Sequence, residues 1–181
     1  ALSEESLATE ENLGDLKLYR VPQPVTVAAQ GLKQVAFLDR RGVEGRLLYR
    51  AACDAWSASD APYGAAMLLE TVNDAAHGLG VALPNGAVAV FEPGQAGEQL
   101  VAEDRLRDYA SGQDVELSLG QSAQVFSQCA RLTSHDPGEP RWSRMLATLR
   151  NANPAPVNQR LLLGSTAHWH LRGLRSRFKV G

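Results

Sequence analysis

This chain of 181 residues is poor in the residue types that mark several common functional classes. Aromatic residues make up 6% of it, which argues against a broad stacking platform for sugars or single-stranded nucleic acid. Asp and Glu number 20 against 18 Lys and Arg, so the total charge gives no support to a nucleic-acid partner or an anionic membrane. No apolar run approaches the ~18–20 residues of a transmembrane helix.

Cysteine is equally scarce, with Cys53 and Cys129 as the only two. Their separation lacks the spacing of a zinc or redox motif. Two alternatives stay open: a disulfide that closes a long loop and stabilises by about 4 kcal/mol, or two buried thiols. No phosphate-binding glycine loop or dinucleotide fingerprint is present, and we predict no cofactor.

The dominant pattern is short runs of alternating apolar residues, separated by Gly, Pro, Asn and Asp. This pattern predicts an all-β protein, an antiparallel β-sandwich of about ten short strands that leaves room for a small subdomain. Residues 65–76 and 98–110 also have a helix-friendly composition, but their strand-like neighbours favour strands there. Residues 51–64 and 135–140 are predicted as long surface loops.

The charge pattern divides the chain into three parts. Residues 1–12 hold four acids and no base, and we predict a flexible acidic terminus. Residues 13–172 form the predicted β-sandwich domain. Residues 173–181 form a basic tail without a clear closing strand, so the chain is either a fragment or closes differently.

The stretch from Met67 to Gly94 carries the strongest local signal. Leu83-Pro84-Asn85-Gly86 predicts a tight turn, because Asn and Gly tolerate the positive φ of a sharp reversal. A strand is predicted directly after it, over Ala87–Phe91. Asn73, Gly80, Pro84 and Gly86 are therefore interpreted as structural residues that reverse the chain, with the Asn73 side chain bonded to local backbone.

Several of these segments together resemble a known family. The pattern is an asparagine, a Leu-Gly pair, a Leu-Pro-x-Gly turn and a hydrophobic strand. The matching residues are Asn73, Leu79-Gly80, Leu83–Gly86 and Ala87–Phe91, with weaker matches at 13–19, 103–106, 112–115 and 149–153. The chain resembles a bacterial domain family of unknown function that also forms the C-terminal part of mucoidy-inhibitor-like proteins.

The resemblance implies an extracytoplasmic β-sandwich, periplasmic or secreted, without an established activity or catalytic residues. The compartment is implied by the resemblance alone, because no signal peptide is visible in the sequence. The expected partner is an unknown protein or a component of the cell envelope.

His168-Trp169-His170 is the sharpest candidate for chemistry. On a strand, residues i and i+2 face the same way, so both imidazoles would share one face and could bind a metal with His135 or Asp136. The simpler interpretation, which we favour, is that both histidines lie on the solvent-exposed face of this strand with Trp169 turned inward. We therefore predict no metal site.

A hydrolytic site is also weakly supported. Ser134, His135 and Asp136 are contiguous, and adjacent residues on a strand point apart, so they do not form a triad. The sequence therefore favours a non-catalytic module that binds a protein or supports a larger envelope protein. The alternatives are a metal-binding protein or metal-dependent hydrolase centred on His168 and His170, and a carbohydrate-binding module that uses Trp56.

Overall fold

The structure is a computed structural model that describes residues 9–14, 16–21, 24, 26–27, 29–32, 38–54, 56, 59–135, 143–168 and 170. Among these residues there are nine strands, two 3-10 helices and no α-helix. The strands are β1 (Thr9–Leu13), β2 (Leu16–Arg20), β3 (Arg46–Ala52), β4 (Ser59–Val72), β5 (Gly86–Gly94), β6 (Gly97–Leu106), β7 (Asp114–His135), β8 (Ser143–Asn151) and β9 (Gln159–Leu162). The 3-10 helices are Ala75–His77 and Thr166–His168.

The strands form one large sheet and two small ones. The large sheet has the order β8-β7-β4-β3-β9, while β1 pairs with β2 and β5 with β6. The pairs β1–β2, β3–β4, β5–β6 and β7–β8 are antiparallel, whereas β9 runs parallel to β3. The fold is all-β and sandwich-like, which confirms the predicted fold class.

The chain divides into two compact units. The first contains residues 1–45, 71–85 and 107–115, and the second contains residues 46–70, 86–106 and 116–181. The boundary therefore falls inside β4 and inside β7.

The second unit builds its core on one face of β3. Tyr49 and its β4 partner Met67 lie on this face, where Tyr49 packs with Ala65 and Val125. The other face carries Arg46, Leu48 and Arg50, because side chains alternate along a strand. β3 is therefore apolar on one face and mixed on the other.

The connection from β8 to β9 crosses the sheet. β8 and β9 are the two edge strands, so residues 152–158 must span four inter-strand steps, about 19 Å at ~4.8 Å each. Seven extended residues reach at most about 25 Å, which is enough for this span even though residues 153–155 form a bend after β8. Val157 of this segment packs against the Tyr49 core, and Tyr49 N donates to Asn158 O at 2.9 Å. The crossing therefore covers the core face as well as linking the two edges.

β7 joins two runs that the sequence presents as separate strands. Val115 and Leu119 are buried at odd positions, as are Val125, Ser127 and Cys129. Between them, Gly120 takes a φ of +89° and Ser122 turns inward, where its Oγ accepts from Gln124 N and Val125 N at 3.1 and 3.0 Å. The Ser122 hydroxyl thus satisfies backbone groups at a local irregularity, and the strand continues beyond it.

Several sequence predictions on this region are confirmed. Residues predicted as strand despite a helix-friendly composition lie in β4 from Ala65 to Val72 and in β6 from Glu98 to Leu106, whereas residues 107–110 lie beyond the end of β6. The first of these stretches then ends in the 3-10 helix Ala75–His77.

Other predictions are wrong. Residues 59–64 belong to β4 and residues 51–52 to β3, so the predicted loop from residue 51 to 64 is much shorter. Ser59 to Pro62 are exposed, which explains why their small polar composition looks loop-like. Residues 9–12, at the end of the predicted acidic terminus, belong to β1 and pair with β2. The predicted loop at 135–140 lies outside the described residues except for His135, which ends β7.

The predicted tight turn at Leu83–Gly86 is also wrong. Neither Asn85 nor Gly86 has a positive φ; the positive values in this region belong to Gly78 and Gly80. Leu83 instead forms a two-hydrogen-bond bridge with Tyr109, and Asn85 donates through N and Nδ2 to the two carboxylate oxygens of Asp108. The chain therefore stays extended through Pro84, and the hairpin reverses later, at Gln95-Ala96.

Gly64 provides a test of the approach of β4 to β7. A Cβ on Gly64 would overlap the carbonyl oxygen of Ser122, and backbone cannot move aside as a side chain can. We expect Gly64→Ala to lower the free energy of unfolding by about 1–3 kcal/mol, measured by urea denaturation. The matched control is Gly86→Ala, where a Cβ meets nothing within 4 Å. Equal stability of the two variants would contradict the close approach.

Candidate functional site

Asn73 makes three side-chain hydrogen bonds in the first unit. It is 0% exposed, and its Nδ2 donates to Val81 O at 2.6 Å and Ala110 O at 3.0 Å. Its Oδ1 accepts from Gly80 N at 3.1 Å. Its backbone N donates to Gln113 O at 2.8 Å, and its backbone O accepts from Gly112 N at 2.7 Å. Asn73 thus joins three chain segments, and every one of these side-chain bonds goes to backbone.

Gly80 and the neighbouring residues support this arrangement. Gly80 has a φ of +87°, and a Cβ there would lie 2.9 Å from Ala75 N. Only glycine fits both the conformation and the space. The structure therefore brings Asn73 and Gly80 together as a structural pair, whereas Pro84 and Gly86 lie in the extended segment before and at the start of β5.

The predicted histidine strand is not found. Thr166–His168 form a 3-10 helix and His170 lies in irregular backbone, while Trp169 is outside the described residues. The alternation that would put both imidazoles on one face therefore does not apply. His135 ends β7, and Asp136 is not described. Among the described side chains there is no group of three or more His, Cys, Asp or Glu that could hold a metal ion.

The two cysteines form a disulfide. Cys53 follows β3 and Cys129 lies in β7, with their Cα atoms 5.5 Å apart. Both are almost fully buried, and Cys53 N also donates to Leu162 O at 2.8 Å. The disulfide therefore fixes the end of β3 to β7, while a backbone hydrogen bond fixes the same point to β9.

Five charged side chains form a connected network on the mixed face of β3. Glu70 accepts from Arg46 Nε at 3.1 Å and lies 2.7 Å from Arg160 Nη2. Glu116 accepts from Arg160 Nη1 at 3.1 Å and from Arg50 Nη1 at 3.3 Å. Arg50 and Arg160 are direct partners in the β3–β9 ladder, so Glu116 offsets the repulsion between two adjacent cations.

Sequence reasoning missed this network. The available signal was a charge inside each strand-like run, such as Glu116 between Val115 and Leu117. The pairing itself depends on the register of β3, β4, β7 and β9, which periodicity does not reveal.

Glu70 is the most buried member of the network, with a side chain 10% exposed. Burial raises its pKa, but the hydrogen bond from Arg46 and the charges of Arg160 and Arg46 outweigh burial, so the pKa lies below its ordinary value. A carboxyl group held ionised in this way is poorly suited to donate a proton near neutral pH.

Asp74 and His77 form a second acid–base contact. Asp74 Oδ1 lies 2.7 Å from His77 Nδ1 and accepts from His77 N at 2.8 Å. These two bonds, the side-chain bond first, lower the pKa of Asp74. Asp74 is the N-cap of the 3-10 helix Ala75–His77, so the pair stabilises a helix terminus.

Two exposed surfaces remain as candidates for binding. The first is the distal half of the β5–β6 hairpin, in which every residue from 91 to 101 is exposed. The second is the indole of Trp56, which is 80% exposed and meets the His168 ring edge-on, with ring centroids 6.3 Å apart and planes at 76°. Sequence analysis singled out Trp56 but not Phe91 or Leu100, whose exposure depends on the hairpin having no further strand neighbours among the described residues.

The chain matches no protein-family model, no curated protein and no solved structure. The resemblance drawn from its sequence therefore remains a prediction. In the described part of the chain, no helix has the length and apolar character needed to cross a membrane.

Asn73→Ala tests the structural role of the amide. The change removes three hydrogen bonds and leaves Val81 O and Gly80 N without the Asn73 partner, at about 1–3 kcal/mol each, while Ala110 O keeps a bond from Gln113 N at 3.4 Å. We expect a loss of about 3 kcal/mol or more in the free energy of unfolding, measured by urea denaturation. Asn73→Asp should also destabilise, because an oxygen would then face Val81 O and Ala110 O. Asn85→Ala is the exposed control, and a loss as large as that of Asn73→Ala would contradict this role.

The network predicts a dependence of stability on pH. Since the folded-state pKa of Glu70 is depressed, its stabilisation is complete above the ordinary carboxyl pKa of about 4.3 and is lost as the pH falls through the lower folded value. We expect wild-type protein to lose more unfolding free energy between pH 7 and pH 3 than Glu70→Gln does. Glu98→Gln, outside the network, should behave like wild type. Identical pH profiles for Glu70→Gln and wild type would contradict the prediction.

Proposed function

We propose that this protein is a non-catalytic, extracytoplasmic module that binds another protein through the tip of the β5–β6 hairpin, residues 91–101. The observation that carries the proposal is the pair Phe91 and Leu100. They are direct cross-strand partners, so their side chains lie on the same face, and they are 54% and 52% exposed. Adjacent large apolar side chains held in water are typical of interaction surfaces.

The hairpin is ordered at its base and open at its tip. In the basal half, alternate residues such as Val88, Val90 and Ala102 are partly buried, and Asp104 Oδ2 accepts from Ser118 N of β7 at 2.5 Å. The register shifts between Val90 and Phe91, and beyond this point both faces are exposed. The tip is therefore held by a fixed base and does not need to be ordered on binding, which lowers the entropic cost of association.

The charge of the hairpin indicates the chemistry of the partner. Residues 86–106 contain four acids, Glu92, Glu98, Glu103 and Asp104, and one base, Arg105. A partner with an apolar recess bordered by Lys or Arg fits this surface. A second copy of the chain fits poorly, because two acidic tips would repel each other.

Two observations support the non-catalytic character and the extracytoplasmic location in this proposal. The carboxylates of the central network are paired with arginines, which favours a structural role over acid–base chemistry. The Cys53–Cys129 disulfide is typical of proteins that mature in an oxidising compartment outside the cytoplasm.

Site-specific photo-crosslinking in the source cells tests the proposal. A photoreactive phenylalanine analogue at Phe91 should give a discrete adduct with one protein, whereas the same analogue at Leu146 of β8, also exposed, should not. Leu100→Ser should abolish the Phe91 adduct, and Glu92→Lys should reduce it.

The partner isolated from the adduct should then bind the purified protein directly. Burial of a Leu side chain contributes about 1.5–3 kcal/mol, so Leu100→Ser should raise Kd at least about tenfold and Leu146→Ser should leave it unchanged. Absence of an adduct at Phe91, or the same adducts from both positions, would contradict the proposal.

A further inference from the structure

The exposed indole of Trp56 lies three residues after the disulfide-bonded Cys53. Asp54 Oδ1 accepts from Trp56 N at 2.8 Å, which closes a small turn at the start of the loop. The residue before this turn is Cys53, which is fixed by the disulfide to Cys129 and by a hydrogen bond to Leu162 O. The exposed Trp56 indole therefore lies close in sequence to a residue that two contacts hold to the sheet, and it is accessible to a ligand.

The parallel pairing of β3 and β9 explains how His168 reaches Trp56. Ala52 and Leu162, the last residues of the two strands, are register partners. Since parallel strands end at the same edge, the segments that follow them emerge side by side. The 3-10 turn is itself fixed, because Ser165 O accepts from His168 N at 3.0 Å and Ser165 Oγ from Ala167 N at 3.3 Å.

The groups around the indole define a ligand chemistry. The indole offers a flat apolar face, and the His168 ring beside it and the Asp54 carboxylate, which accepts from Trp56 N, offer polar atoms. The described residues of these two segments, 53–54, 56, 59–60 and 163–168, include Asp54 and Asp60 but no Lys or Arg, so these segments favour a neutral ligand over a phosphate or sulfate group. A neutral pyranose ring matches this site, because its C–H face is apolar and its hydroxyl groups lie around the rim.

We propose that Trp56 and His168 form a stacking site for a neutral oligosaccharide. The indole supplies the apolar contact, and the imidazole holds the indole edge-on and donates or accepts a hydrogen bond with a sugar hydroxyl. The low aromatic content of the chain excludes a long platform but not a single-ring site of this kind. The site is independent of the hairpin tip and of the protein partner proposed for it.

Nuclear magnetic resonance of protein labelled with ¹⁵N at tryptophan tests this site. The chain has three tryptophans, Trp56, Trp142 and Trp169, so each indole N–H is followed separately. Cellohexaose, chitohexaose and maltohexaose are titrated in turn. We expect at least one of them to shift the Trp56 signal saturably while the Trp142 signal stays in place. Trp56→Ala should abolish binding measured by calorimetry, Trp56→Phe should restore part of it, and His168→Ala should weaken it severalfold.

Two controls keep the outcome decisive. Trp56→Ala should leave the urea midpoint nearly unchanged, since the side chain is mostly in water, and should leave the Phe91 crosslink intact. Phe91→Ser should bind the sugar as wild type does. The proposal is overturned if none of the three sugars moves the Trp56 signal or if calorimetric binding survives in Trp56→Ala. A Trp56 shift that depends on protein concentration alone would assign the indole to self-association and would equally overturn it.

Discussion

The parallel attachment of β9 to β3 is the constraint on which most of the second unit depends. β9 has four residues, and the ladder to β3 leaves it at the edge of the sheet. It is held by hydrogen bonds such as Cys53 N to Leu162 O and by Arg160, which bridges Glu70 of β4 and Glu116 of β7. One short strand is therefore tied electrostatically to two strands that it does not neighbour.

This attachment has consequences on both faces of the sheet. On the core face it draws Val157 over Tyr49, because the segment from β8 must cross to reach β9. On the other face it sets Arg160 beside Arg50, which requires Glu116 between them. At the end of the strands it brings the His168 ring to Trp56. The same pairing thus positions core, charges and exposed aromatic ring, while the hairpin tip offers a separate surface.

The sequence predicted where the strands lie better than it predicted which strands and side chains contact each other. The apolar run Leu47–Tyr49 and the alternation from Val115 to Leu119 indicated strands, and both lie in strands of the structure. The tight turn predicted at Asn85-Gly86 is absent because the carboxylate of Asp108 accepts hydrogen bonds from Asn85 and the segment stays extended. Asp108 lies 23 residues further along the chain, so local sequence does not reveal this contact. The strand predicted to carry His168 is absent because residues 166–168 form a 3-10 helix. The Arg160 network and the parallel ladder depend on long-range register, so no local pattern revealed them. The disulfide was one of two alternatives that the two distant cysteines left open, and only their juxtaposition decided it.

Amide hydrogen exchange of Arg160→Met against wild type tests the central role of β9 most directly. Methionine keeps much of the side-chain volume but removes both ion pairs. If β9 is held as described, the Tyr49 and Cys53 amides, which donate to Asn158 O and Leu162 O, should exchange faster in the variant. The amides of the β5–β6 ladder should keep their wild-type rates. Unchanged protection of Tyr49 and Cys53 would show that Arg160 does not hold β9 in place, and would contradict the account.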